Sequence, residues 1–198
     1  MLKGLDMFKE LNDGHVIKTM FIEHEHILCI LNEIQDLGEQ LSDKNKSENK
    51  NLLQQINQLS LQLISAEPHH QREEDVLFPT LETRGIIGPP QVMKQEHVVI
   101  REMKHHLKRK TKGISKNWHE QVNSISYIII ELCDTLRQHI HKENHILYPM
   151  AIRTITEDSE WDKMKIKCDE IGYCCFCPND NQIIHPENNS KSIVGKCE

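Results

Sequence analysis

Aromatic residues make up only 5 % of this 198-residue sequence, and glycine and proline are few at eight and seven. Long stretches of Leu, Ile, Lys, Glu and Gln stand in their place, which favours helices over sheets. No apolar run approaches the roughly 20 residues that a bilayer crossing requires, so no membrane role is expected. The opening residues MLKGLDMFKE lack the apolar core and small-residue cleavage site of a secretory signal, which points to a cytoplasmic location. Positive charge is outweighed as well: a formal net charge of −6 argues against a nucleic-acid binder. The basic run Lys104–Lys112 reads as a solvated helix end. There is no glycine-rich phosphate loop, nucleophile elbow or Ser/His/Asp set. Seven cysteines without a secretory signal read as reduced thiols.

What the sequence does have is histidine, thirteen in all, a first hint of metal or proton chemistry. Four long segments carry helical periodicity: about Gly14–Leu41, Asn49–Thr83, Pro90–Gly113 and Ser115–Thr154. Polar or Gly/Pro breaks separate them, such as Gly85–Pro90. A fifth, short helix is expected over Glu160–Ile171, with Asp158 or Ser159 as N-cap. Four long helices with short connections predict an all-α, up-down-up-down four-helix bundle over residues 1–155. Residues 156–198 then hold the short helix and an irregular, Cys-containing tail.

The second half of the bundle echoes the first. His69-His-Gln-Arg-Glu73-Glu-Asp-Val-Leu77-Phe-Pro79 aligns with His139-Ile-His-Lys-Glu143-Asn-His-Ile-Leu147-Tyr-Pro149 at a constant offset of 70. A Glu-His pair opens each half, Glu23-His24 and Glu96-His97, at an offset of 73. Residues four apart share a helix face, so His-x-x-x-Glu presents an imidazole and a carboxylate to one ion. Two such helices supply two His and two Glu, and the other two helices add one His each. Four histidines and two carboxylates suit a pair of iron ions, with the carboxylates bridging and positions left open for an exogenous ligand.

Periodicity sorts the histidines. Ile17, Met20, His24, Leu28, Leu31 and Ile34 form one stripe, with His26 off it. Met93, His97, Ile100 and Leu107 form another, leaving His105 and His106 outside. On the last helix Ile125, Leu132, Leu136, His139, Glu143, Ile146 and Met150 share a face, while His141 and His145 fall on the polar side. Burying Glu143 without a cation or hydrogen-bond partner is costly, which disfavours a merely structural core. The stripe Ile56, Leu59, Leu63, Ala66, Leu77 fits His70 with Glu74 nearly as well as His69 with Glu73. The repeat register selects His69 and Glu73, leaving His70 and Glu74 as supporting candidates around them.

These paired motifs resemble the hemerythrin / HHE cation-binding family, over about residues 10–155. The resemblance implies a non-haem diiron site held by His24, His69, Glu73, His97, His139 and Glu143. It implies Fe2+/Fe3+ chemistry, with an oxide or hydroxide bridge when oxidised. Oxygen-carrying hemerythrins have His-x-x-x-His on the third helix, where this chain has Arg101 four residues after His97. They have His-x-x-x-x-Asp on the fourth, where it has Asn144 at that spacing and Glu143 one residue earlier. The symmetric set, two His per iron, looks more like the iron-centre repair and other HHE-domain proteins.

Three functions follow as expectations. The leading one is a module that binds or senses O2, NO or redox state at an open iron position. Iron donation to damaged iron–sulfur partner proteins is the second, and a diiron enzyme acting on peroxide or NO the third. A purely structural bundle is the bland alternative. Cys168, Cys174, Cys175 and Cys177, with His185 and Cys197, read as unpaired thiols, a redox disulfide or a second metal site, in that order. Cys29 and Cys133 read as small core or boundary residues.

Overall fold

A computed structural model describes residues 6–43 and 49–174. A single short turn of helix, α1 (Asp6–Lys9), precedes α2 (Val16–Asp43), the first long column. The second column is assembled end to end from α3 (Asn49–Ser65), α4 (Glu67–Arg72), a π-helical turn (Glu73–Leu77) and α5 (Phe78–Glu82). The third is α6 (Gly88–Lys110). The fourth comprises α7 (Trp118–Lys142), a second π-helical turn (Glu143–Leu147) and α8 (Tyr148–Thr154), and α9 (Asp158–Ile171) follows. Helix α2 packs on α3 and α7, and α6 packs on the same two. Consecutive columns are therefore neighbours and the fourth closes on the first. The fold is the expected all-α, up-down-up-down bundle with a short fifth helix, and among the described residues there is no strand.

Apolar side chains fill the bundle in two clusters. One is built on Leu31, Ile34, Ile56, Leu63, Ile100, Ile125 and Leu132. The other gathers Phe8, Ile17, Met20, Leu77, Phe78, Leu81 and Tyr148, roofed by Trp161, Met164 and Cys168 of α9. Burying each such side chain contributes about 1.5–3 kcal/mol. In sequence, every column passes from one cluster to the other through a polar stretch: Glu23-His24 on the first, His69 to Glu73 on the second, Glu96-His97 on the third, His139 to Asn144 on the fourth.

The two π turns occupy matching positions in the repeat. The Glu73 carbonyl accepts from the Phe78 N–H, and the Glu143 carbonyl from the Tyr148 N–H, each five residues on. Pro79 and Pro149 follow one residue later. A proline ring crowds the carbonyl four residues before it in an α-helix, and a widened turn just ahead relieves that crowding.

Several expectations need correction. A stripe drawn at constant helical period placed Ile146 and Met150 inward. Ile146 is 50 % exposed, and Leu147, Tyr148, Pro149 and Ala151 are the buried residues. The π turn is the reason: one extra residue advances the helix face by about 100°. Lys104, read as part of a solvated end, is 3 % exposed. Helix α6 starts at Gly88, so Pro89 and Pro90 both lie in its first turn, where their missing N–H groups have no helical partner to lose. Helix α9 begins at Asp158 and has no side-chain cap bond. Cys133 is buried in the core as expected, but Cys29 is disulfide-bonded where a reduced thiol was expected. Cys175, Cys177, His185 and Cys197 lie outside the described residues.

Candidate metal centre

The polar layer brings His24, His69, Glu73, His97, His139 and Glu143 together, each 0–1 % exposed. They form two groups, His24–His69–Glu73–Glu143 and Glu73–His97–His139–Glu143, in which the potential ligand atoms lie within 4.8 Å of one another. Both carboxylates belong to both groups. Glu143 turns Oε2 to His24 Nε2 at 3.2 Å and Oε1 to His139 Nε2 at 2.9 Å. Glu73 Oε2 stands between His97 Nε2 at 3.4 Å and His69 Nε2 at 3.6 Å.

The proton positions follow from the outer partners. His69 Nδ1 faces Glu23 Oε2 at 2.7 Å, His139 Nδ1 faces Glu96 Oε2 at 2.8 Å, and His97 Nδ1 faces Glu74 Oε1 at 2.7 Å. His24 Nδ1 faces the Asn144 carbonyl oxygen at 2.8 Å. Oxygens of these kinds only accept, so each Nδ1 is the N–H donor and each Nε2 turns its lone pair inward. His24 Nε2 then meets His69 Nε2 at 3.0 Å, and His97 Nε2 meets His139 Nε2 at 3.0 Å. Glu73 Oε2 and both oxygens of Glu143 receive no aligned hydrogen bond. Four lone pairs and three orphaned carboxylate oxygens converge in one buried layer. Such a cage demands positive charge at its centre, and its histidine and carboxylate donors fit a metal cation.

Without a metal, protons are the only charge within reach. Burial opposes a charge on His97, but Glu143, Glu73 and Glu74 outweigh it and push its pKa up to about 11. His24 and His139 are raised against burial by the same carboxylates, and Glu143 is held well below the usual carboxylate range despite its burial.

A ring of residues that sequence reasoning left without roles holds this cage. Arg72, 1 % exposed, donates to both oxygens of Glu23 at 2.6 and 2.5 Å, so Glu23 is fixed before it meets His69. Lys142 grips Glu96 in the matching position of the other half. Arg101 donates to Glu67 at 2.7 Å and Glu74 at 2.9 Å, and so anchors the partner of His97. Tyr148 O–H donates to Glu73 Oε1 at 2.7 Å. The signal was present: Arg72/Lys142 and Glu23/Glu96 are matched pairs of the repeat. Glu74 is the outer partner of His97, whereas His70 is buried and forms a third possible ligand group with His97 and His139. Burial and then the Lys104 charge hold His70 well below the usual imidazole range, and burial pushes Lys104 down to about 8. His26 and His106 are partly exposed, and His105, His141 and His145 point outward.

Comparison with known proteins agrees with this architecture. The family model for the hemerythrin HHE cation binding domain matches residues 15–151. The iron–sulfur cluster repair protein YtfE of Salmonella typhimurium is 32 % identical over 93 residues, covering 42 % of this chain and 40 % of the relative. Its namesakes from Salmonella paratyphi B and Salmonella newport are each 31 % identical over the same length. The chain thus spans about two fifths of the length of the curated relatives it matches. A family match across more than half its residues, laid over a bundle whose buried histidines and glutamates can hold metal, makes this chain a member of the hemerythrin HHE cation-binding family.

Proposed function

We propose that His24, His69, Glu73, His97, His139 and Glu143 bind two non-haem iron ions, and that the chain binds or senses O2, NO or redox state at them in the cytoplasm. The observation that carries this reading is the sharing of Glu73 and Glu143 between two histidine pairs, which would let six residues hold two ions. His24 and His69 would hold one ion, His97 and His139 the other, with both carboxylates spanning the pair. Bound iron would supply redox chemistry and an exchangeable coordination position. The protein's part is to orient each imidazole through its Nδ1 partner and to exclude bulk water. All six residues are essentially inaccessible, so only small ligands reach them without opening the bundle. That favours a diatomic ligand or peroxide over a large substrate.

The similarity to iron–sulfur cluster repair proteins favours a second reading, iron donation to an iron–sulfur partner. It requires the buried cage to open, so facile iron loss to a weak chelator under reducing conditions would support it. Residues 1–155 form the metal-binding domain in this proposal, with 156–198 as an appendage. Among the described residues no helix is long and apolar enough to cross a membrane. The test is the absorption spectrum of iron-loaded, reduced protein while O2 is added and then removed. A visible band that appears and reverses supports oxygen binding; an irreversible shift supports redox sensing or iron donation. Protein that takes up no iron pair refutes the proposal.

A further inference from the structure

The fourth column carries a metal-ligating residue type at every second position from His139 to His145: His139, His141, Glu143 and His145. Helical geometry sends neighbours in that series to opposite sides. His139 and Glu143 turn into the bundle, whereas His141 and His145 are exposed on its outer surface. Two histidines four residues apart share a helix face, the spacing with which helical His pairs bind zinc. Here the two rings stack, with centroids 4.0 Å apart and planes at 28°.

The backbone sets the proton position on His145. Its Nδ1 lies 2.9 Å from the His141 carbonyl oxygen, which can only accept. Nδ1 is therefore the N–H donor, and the lone pair stays on Nε2, free for a ligand. Two nitrogens that each bind one ion at about 2.1 Å lie about 3–4 Å from each other, the scale of this ring spacing. Exposed side chains can turn to complete the approach.

Neither helix stability nor the repeat accounts for the pair. Glutamine is a better helix former than histidine at an exposed position. At the offset of 70 the first half has Gln71 and Asp75, both exposed, so the register that builds the buried centre does not require imidazoles on this face.

We propose that His141 and His145 form a separate surface metal site, which chelates one divalent transition-metal ion between Nε2 of His145 and a ring nitrogen of His141. Imidazole suits nickel, copper, zinc and iron among such ions. Among the described residues no third His, Cys, Asp or Glu completes a ligand group with them, so water fills the remaining positions and the ion is exchangeable. The six buried residues take no part in this site.

The test is calorimetric titration of Ni2+ into the iron-loaded full chain, with His141→Gln, His145→Ala, the double variant and His105→Ala as a lone exposed histidine. Each single variant of the pair should lower the affinity of one Ni2+ site at least roughly 10-fold, because chelation is lost with either ring. The double variant should lose little more, since coupled ligands are not additive. His105→Ala should change nothing, and iron content should stay the same throughout. Unchanged affinity in both single variants, loss in only one, or additive losses in the double variant each overturn the chelate. Iron released by either single variant overturns its separation from the buried centre. Wild-type protein that binds no Ni2+ overturns the surface site alone, whereas protein that takes up no iron pair refutes the two-ion reading and leaves the Ni2+ comparison to decide this site.

Discussion

Glu23 accepts a hydrogen bond from His69 Nδ1 at 2.7 Å, so the residue preceding one inward histidine fixes the imidazole of another helix. Burial works against the Glu23 charge, yet His69 and Arg72 bring its pKa down to about 2. Arg72 is itself capped by the Tyr173 ring, 4.6 Å from the guanidinium carbon. Arg72→Met leaves a fully buried carboxylate without its counter-charge, for which destabilisation of about 3–5 kcal/mol is expected. Metal retention should weaken roughly 10–100-fold, because Glu23, which orients His69, loses its anchor. Lys142→Met removes the equivalent cation where both partners are partly exposed, and its effect should be smaller. Competition with a chromogenic chelator and denaturant unfolding measure the two effects. Equal losses from both variants would contradict the difference in burial.

The carboxylates shared between the two histidine pairs make a sharper prediction. Glu73→Ala and Glu143→Ala should each abolish binding of the two-ion set, since each removes an oxygen donor from both groups. His26→Ala and His145→Ala, at positions outside the cage, should leave two ions bound. Metal content after desalting reads this directly. Full loading of the Glu143→Ala protein would overturn the site as drawn.

Much of this arrangement was legible because it is repeated. The offset of 70 carried His69, Glu73, His139 and Glu143 into one register, and helical periodicity set His24 and His97 on inward faces. The second column was ambiguous between His69 and His70 for a physical reason. The column is broken at Ala66, restarts with Pro68 and widens at Glu73–Leu77, so a constant period drifts across it. Both histidines turn out buried. Lys104 was missed because composition around it is basic and reads as solvent-facing, whereas its side chain is determined by its place on the inner face of α6. Partners of Nδ1 atoms depend on contacts between columns, which spacing along one helix does not encode.

The π turns give a stability test of that lesson. Ile146 belongs to the inward stripe if the fourth column is regular, and faces solvent if Glu143–Leu147 is widened. Ile146→Lys should therefore change stability by no more than about 0.5 kcal/mol. Leu147→Ala, at a position 1 % exposed, should cost about 2–5 kcal/mol. Thermal and denaturant unfolding of the two variants distinguish the cases. A large loss from Ile146→Lys would mean that the column runs as an unbroken α-helix.

Cysteine reactivity can ask whether α9 behaves as an appendage or as part of the bundle. Burial pushes the Cys168 thiol up to about 12 and the Cys133 thiol up to about 11. The thiolate is the reacting form, so at pH 8 well under about 1 % of either is nucleophilic in the folded chain. Both should resist iodoacetamide under native conditions. Cys133 lies in the core of α7, where its Sγ–H donates to the Leu31 carbonyl at 3.6 Å, and its labelling requires the bundle to open. Cys168 lies on α9, which rests on α2, α4 and the first π turn and can undock without separating the four columns. In mild denaturant Cys168 should therefore be alkylated before Cys133, as mass spectrometry of labelled peptides would show. Simultaneous labelling would mean that α9 unfolds with the bundle, and the proposed division at residue 155 would then have no independent physical basis.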